Sequence, residues 1–158
     1  MTLVQTLLKA IHIFAGLIFM LIHGSSVMMT FRVRRERDRE TLKTLLGFSS
    51  GTITPMYWTL GALIASGVAS GFVGHYWSSW WIWAALTVLL ALVGGMVPMA
   101  AKYFRRIGQA VGTRPSGAPM ASDEELDELL GGSRPMLLAV MGFGGLAVIV
   151  WLMVFKPF

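Results

Sequence analysis

Four long runs of apolar residues divide the chain, and short polar segments separate them. The runs cover about residues 10–31, 53–73, 80–101 and 136–155. Each holds roughly the 20 residues that a helix needs to cross the hydrocarbon core of a bilayer. No run alternates as a β-strand does, and a bilayer accepts only helices or closed barrels. The pattern predicts an all-α, four-transmembrane-helix bundle that forms one integral membrane domain, residues 1–158.

The first run has the length of a span but the position of a signal peptide. Lys9 precedes it, as a basic residue precedes the apolar core of such a peptide. The run leads into Met28, Met29 and a cluster of arginines, however, and not into a small-residue cleavage site. We therefore expect an uncleaved transmembrane helix.

Basic residues are concentrated in two of the polar segments, which predicts how the chain crosses the membrane. Loops rich in Lys and Arg stay in the cytoplasm, so these two basic loops should be cytoplasmic and both termini outside. Only Lys9 and Lys156 lie on the other side. The two segments hold Arg32, Arg34, Arg35, Arg37, Arg39 and Lys43, and then Lys102, Arg105, Arg106, Arg114 and Arg134.

Composition supports a membrane class and excludes several kinds of site. The chain is 55% hydrophobic and only 13% charged, which is far from the average of soluble domains. Its net charge of +5 lies beside the apolar runs, so we expect the lipid bilayer as partner and no nucleic acid. The absence of cysteine excludes disulfides, thiolate metal sites, iron–sulfur clusters and c-type haem.

Small residues recur every four positions in the second run, as they do where membrane helices pack closely. Gly67 and Gly71 form a GxxxG pair, and Gly61, Ala65 and Ala69 repeat the same spacing. These faces predict either packing within the chain, a membrane-protein partner, or a homo-oligomer. The sequence leaves the three open.

Residues 105–134 are predicted to form a cytoplasmic linker that contains a short acidic amphipathic helix, residues 122–130. Ser122 and Glu125 fit a capping box, and Leu126, Leu129 and Leu130 form an apolar stripe. A helix this short is marginal alone in water, so it must dock to persist. The chain's own basic loop, a neighbouring subunit and no stable partner remain as alternatives. Leu42, Leu45 and Leu46 form a second stripe that predicts a helix lying along the membrane surface.

Three histidines are the only titratable candidates for chemistry within or beside the spans. No carboxylate, lysine or arginine lies deep in a run, which argues against proton relays, ion-coupled transport and voltage sensing. His12 and His23 are eleven residues apart, so they share one helix face about 16 Å apart along the axis. His75 ends the second run at the level expected for His12. His23 lies at mid-membrane depth.

Two interpretations of these histidines stay open. Each can be an ordinary buried imidazole that hydrogen bonds to Ser66, Ser70 or a backbone carbonyl. Alternatively, His12 with His23 or His75 can serve as the axial ligands of a b-type haem held between helices. Cu(I) is a weaker option, because Met20 lies one turn before His23 and thioethers suit that ion. No metal site is assigned.

The segments LLKAIHIFAGLIFMLIHGSSVMM, ITPMYWTLGALIASGVASGF and WWIWAALTVLLAL resemble a group of bacterial four-helix membrane proteins. One branch is a family of predicted integral membrane proteins of unknown function, distantly related to the copper-resistance D domain and the HemJ-type protoporphyrinogen oxidases. In the HemJ branch, the histidine of a Lys-x-x-His motif is implicated with haem or porphyrin, which would correspond to His12. That branch also keeps a lysine and a histidine in the third span, and this sequence has neither. The resemblance thus implies the unknown-function branch and a bacterial inner membrane.

The sequence predicts a non-catalytic integral membrane protein, an accessory or structural subunit of a membrane complex. No nucleophile–base pair, phosphate loop or carboxylate pair is present, so an enzyme is not expected. A haem-binding or redox-associated protein is the first alternative. A copper or small-solute permease is the second.

Overall fold

The computed structural model describes residues 2–158, and regular structure there is helical throughout. The predicted all-helical architecture with four long apolar helices is confirmed. These four are long and apolar enough to cross a bilayer, which indicates a multi-pass membrane protein. The helices are α1 (Leu3–Arg35), α2 (Arg39–Gly51), α3 (Ile53–Val73), α4 (Trp80–Ala110), α5 (Asp123–Gly131) and α6 (Arg134–Phe155), with one 3₁₀ turn at Tyr76–Ser78.

Helix α1 extends beyond the predicted span at both ends. It begins in a capping box formed by Thr2 and Gln5 and has 33 residues, about 50 Å of helix. The backbone of Glu36 is extended, and α1 ends there. The Asp38 side chain then caps α2 by accepting a hydrogen bond from the Thr41 amide at 2.8 Å. The arginine-rich segment is therefore two helices with a short break between them.

The four long helices pack as a chain of neighbours. Helix α1 packs against α3 and α6, and α6 packs against α4. In the described part of the molecule, α3 and α4 are not among the helix pairs that pack extensively. The bundle therefore has one looser side, between α3 and α4.

A compact layer covers one end of the bundle, and we call it the polar cap (residues 32–51 and 102–134). The apolar stripes of α2 and α5 meet there, with Leu42 and Leu130 completely buried against Val33 and Ile107. The Arg39 guanidinium donates to the carbonyls of Ala110 and Ala121 and pairs with Asp123 at 2.7 Å. The acidic helix thus docks on its own chain.

Both stripes gain by this arrangement, since apolar area leaves water on both surfaces. The stripe of α2, which predicted a helix along the membrane surface, is buried inside the cap, with Leu42 fully covered. The loop between α4 and α5 closes through backbone hydrogen bonds from Arg114 to Ala118 and from Met120 to Gly112. This loop belongs to the predicted linker, residues 105–134, and the structure shows that it is a compact turn.

Both ends of the described chain, residues 2–158, lie at the other end of the bundle. Gln5 donates from its side-chain amide to the Val73 carbonyl at 3.0 Å, at the end of α3. The Trp81 amide donates to the Phe158 carbonyl at 3.4 Å, and the Lys156 ammonium lies 4.7 Å from the centre of the Tyr76 ring. The chain ends and the turn before α4 therefore form one surface.

Candidate functional site

His12 joins α1 to α3. Its Nδ1 lies 3.0 Å from the Leu63 carbonyl and 3.2 Å from the Ser66 hydroxyl, which is buried. Because a carbonyl only accepts, Nδ1 carries the proton and donates to Leu63. The ring also rests on Gly67, where a Cβ would be 3.0 Å from Cε1. These contacts agree with the interpretation of His12 as a buried imidazole bonded to Ser66 and a carbonyl.

His75 lies far from the other two imidazoles. It is exposed, follows the end of α3 and has a left-handed backbone, with φ of 54°. Histidine tolerates that region better than most residues, so His75 reverses the chain before the 3₁₀ turn. Gln5 reaches the level of Val73 and His12 lies seven residues further along α1, about 10 Å deeper. His12 and His75 therefore do not share a level.

His23 has aromatic neighbours and one unpartnered nitrogen. Its ring stacks on Phe19 with centroids 5.8 Å apart, and the Phe143 ring meets it edge-on at the same distance. Nε2 is buried and has no hydrogen-bond partner. Nε2 lies against Gly142 of α6, and a Cβ at residue 142 would collide with this nitrogen. Glycine at residue 142 thus provides the notch that the imidazole occupies.

A cavity of about 450 Å³ lies beside His23, in the half of the bundle next to the polar cap. Residues from all four long helices and from α2 line it, and its walls are almost entirely apolar. Among the three histidines, only His23 lines it. Phe104 and Leu46 lie at its polar-cap end, and Met56 and Leu60 of α3 face α4 across it.

The structure does not bring His12 and His23 side by side. His12 and His23 are about 16 Å apart along α1, and each has its own neighbours. His23 is the one candidate that lines the cavity, but its Nε2 faces the backbone of Gly142 and not the open space. Within residues 2–158, no three His, Cys, Asp or Glu side chains gather as metal ligands do.

Sequence reasoning missed two parts of this site. Nothing in the sequence sets Gly142 apart from other packing glycines, because its contact with His23 depends on how α6 crosses α1. The cavity itself carries no sequence signal, because its lining residues come from five helices and look like ordinary core positions. The single available signal was the cost of a histidine at mid-membrane depth, which marks His23 for attention.

No protein-family model, curated protein or solved structure was found to match this chain.

Proposed function

We propose that this chain is a non-catalytic multi-pass protein of a bacterial inner membrane and serves as an accessory or structural subunit of a membrane complex. In this proposal the polar cap lies in the cytoplasm and both chain ends lie outside. Eleven of the 13 basic residues belong to the segments of the cap, which supports that orientation by the positive-inside rule. The resemblance to bacterial four-helix membrane proteins supports the choice of membrane.

One observation carries the assignment to a complex, and it concerns the outer face of α3. Gly61 and Ala65 are exposed there, one turn apart, and a Cβ on Gly61 would meet nothing within 4 Å. Trp58 and Phe72 lie on the same face and are 77% and 64% exposed. In lipid, a flat strip of small residues lets a second helix approach closely and gain dispersion contacts.

Two other glycines of the long helices have a packing role within the chain. Gly67 makes room for His12 and Gly142 makes room for His23, so both support packing within the chain. The Gly61–Ala65 strip is exposed and does not make room for a side chain of another helix in this way. It therefore favours an external helix, either from a second copy of the chain or from another membrane protein.

The test compares two glycine substitutions that both add a side chain into open space. Tagged full-length chain is cross-linked in native membranes, and the size and composition of its complexes are measured. Gly61→Leu should abolish the main complex, because leucine separates the two backbones. Gly144→Leu, where a Cβ also meets nothing within 4 Å, should leave it intact. An unchanged complex in Gly61→Leu contradicts the proposal.

Binding of a b-type haem through His23 is a second candidate function. The observation that favours it is the buried, unpartnered Nε2 beside an apolar cavity, since buried polar groups normally have partners. Nε2 would have to turn away from Gly142 to reach an iron. Purified protein should then show a Soret band that His23→Leu removes and His75→Leu retains. A spectrum without that band rules this function out.

A further inference from the structure

The cavity beside His23 is long in the direction of the spans. Its lining residues on α1 run from Phe19 to Thr30, which corresponds to about 16 Å of helix. Towards the polar cap its lining includes Leu46, Phe104 and Gly108. A volume of about 450 Å³ drawn out over that length suits a slender, extended molecule better than a broad, flat one.

The walls of the cavity offer contact area and few free hydrogen-bonding groups. Two of its hydroxyls are already used within their own helices, because Thr30 donates to the Ser26 carbonyl at 2.8 Å and Ser50 to the Gly47 carbonyl at 2.7 Å. An apolar cavity of this kind does not hold water. Its lining atoms gain dispersion contacts only from an apolar occupant.

The cavity faces the bilayer on the looser side of the bundle. Residues of α3 and α4 line it, yet these two helices do not pack extensively along the described chain. In a membrane, the molecules beside that gap are the hydrocarbon chains of lipids. An occupant can therefore come directly from the bilayer.

We propose that the cavity binds one acyl chain of a membrane phospholipid, admitted from the bilayer between α3 and α4. Arg105 supports a phospholipid in particular, because it follows the lining residue Phe104 and its side chain is exposed. A guanidinium near the polar-cap end of the cavity attracts a lipid phosphate at headgroup depth. This site is separate from the Gly61–Ala65 strip and does not depend on a protein partner.

The experiment uses the full chain in vesicles of phosphatidylglycerol that contain a phospholipid with a photoactivatable acyl chain. After illumination, mass spectrometry locates the labelled residues. Wild type should be labelled at residues that line the cavity, Met56 and Met96 among them, as well as on its outer faces. Native mass spectrometry should also show one phospholipid retained by each purified chain.

A matched pair of substitutions on α4 separates the cavity from the lipid-facing surface. Ala100 lines the cavity, whereas Ala91 is exposed and lies half a helical revolution away. Ala100→Phe should abolish both the interior labelling and the retained lipid, and Ala91→Phe should preserve both. Ser26→Leu, which also fills the cavity, and its exposed neighbour Ser25→Leu repeat the comparison on α1 if Ala100→Phe fails to fold.

Three results would overturn the proposal. One is the absence of interior labels in wild type, and another is equal labelling in Ala100→Phe and Ala91→Phe. The third is a Soret band that Ala100→Phe removes, which would assign the cavity to haem. An unchanged cross-linked complex in Gly61→Leu, with interior labelling as expected, would contradict the proposed function alone and leave this site in place.

Discussion

Gly142 is the residue that lets His23 lie where it does. The imidazole edge reaches the α6 backbone, and the ring is held between Phe19 and Phe143. A polar ring at this depth is costly, and its aromatic contacts offset part of that cost. The pair therefore behaves as a single packing unit shared by α1 and α6.

We predict that Gly142→Ala destabilises the protein, because the new Cβ collides with Nε2 of His23. Forcing a group into a filled site typically costs about 1–3 kcal/mol. The free energy of unfolding in detergent measures the change. The cost should shrink in a His23→Ala background, since contacting residues are not additive. Gly144→Ala, where the space is open, is the control, and an equal loss there would refute the explanation.

Two carboxylates shape the break between α1 and α2. The Glu36 side chain accepts hydrogen bonds from the amides of Arg37 and Asp38, and these bonds lower the pKa of Glu36. The hydrogen bond from the Thr41 amide likewise lowers the pKa of Asp38. A carboxyl whose pKa is depressed on folding adds stability above its unfolded pKa and loses it as the pH falls through the folded value.

Asp38→Asn should therefore change how the stability of the polar cap depends on pH. Asparagine also caps helices well but does not titrate in this range, so one acid-dependent contribution disappears. Wild type should lose more stability than Asp38→Asn when the pH is lowered from neutrality to below the carboxyl range. Thermal unfolding at several pH values measures this. Parallel pH profiles for the two proteins would be inconsistent with the cap hydrogen bond.

The short helices α2 and α5 hold each other, and apolar burial does most of this. Leu42 and Leu130 are fully buried in the cap, whereas the Arg37–Asp127 ion pair is more than half exposed. Exposed ion pairs contribute at most about 1 kcal/mol, and a buried leucine contributes several times that. The leucines of α5 therefore keep it in place, and its exposed Arg37–Asp127 ion pair adds little.

Leu130→Ala should release α5 far more than Asp127→Asn does. Large-to-small core changes of this type cost about 2–5 kcal/mol, against about 0–1 kcal/mol for an exposed pair. Hydrogen exchange of the α5 amides, followed by mass spectrometry, reports the local opening. Faster exchange in Asp127→Asn than in Leu130→Ala would mean that charge, and not burial, holds the helix.

The two ends of the bundle differ in the residues that they carry. The polar cap carries the ion pairs, while the other end gathers both chain ends and the tryptophans beside the 3₁₀ turn. Along the spans between them, large apolar side chains such as Leu21, Phe14 and Leu90 are exposed, which suits lipid and not water. The proposed orientation, with the cap in the cytoplasm, rests on the eleven Lys and Arg residues of the cap.

Cysteine labelling tests that orientation directly, because the chain has no native cysteine. Ser116→Cys places a thiol in the exposed loop of the cap, and Ser78→Cys places one in the turn at the other end. A membrane-impermeant maleimide should label Ser78→Cys in intact spheroplasts and Ser116→Cys only after lysis. The reverse pattern would invert the proposed topology and place the basic loops outside.

The order of apolar and polar residues along the chain predicted the long helices and the membrane class. Runs of about 20 apolar residues are long enough to span a bilayer, and local signals such as Ser122 with Glu125 predict where a helix begins, since both act over a few neighbouring residues. The capping box at α5 is present as those residues indicate. The Ser66 and carbonyl partners of His12 were among the predicted options for a different reason, because small polar groups on the other spans are few.

Tertiary packing decided everything that depends on which faces meet. Contacts between residues far apart in the chain determine these features. They are the docking of α5, the space at Gly142 that His23 occupies, the cavity, the looser side between α3 and α4, and the separation of the three histidines. In lipid, no hydrophobic force ranks one apolar face above another, so close fit selects the pairs. Such fit is a property of surfaces in three dimensions, and a one-dimensional pattern does not contain it.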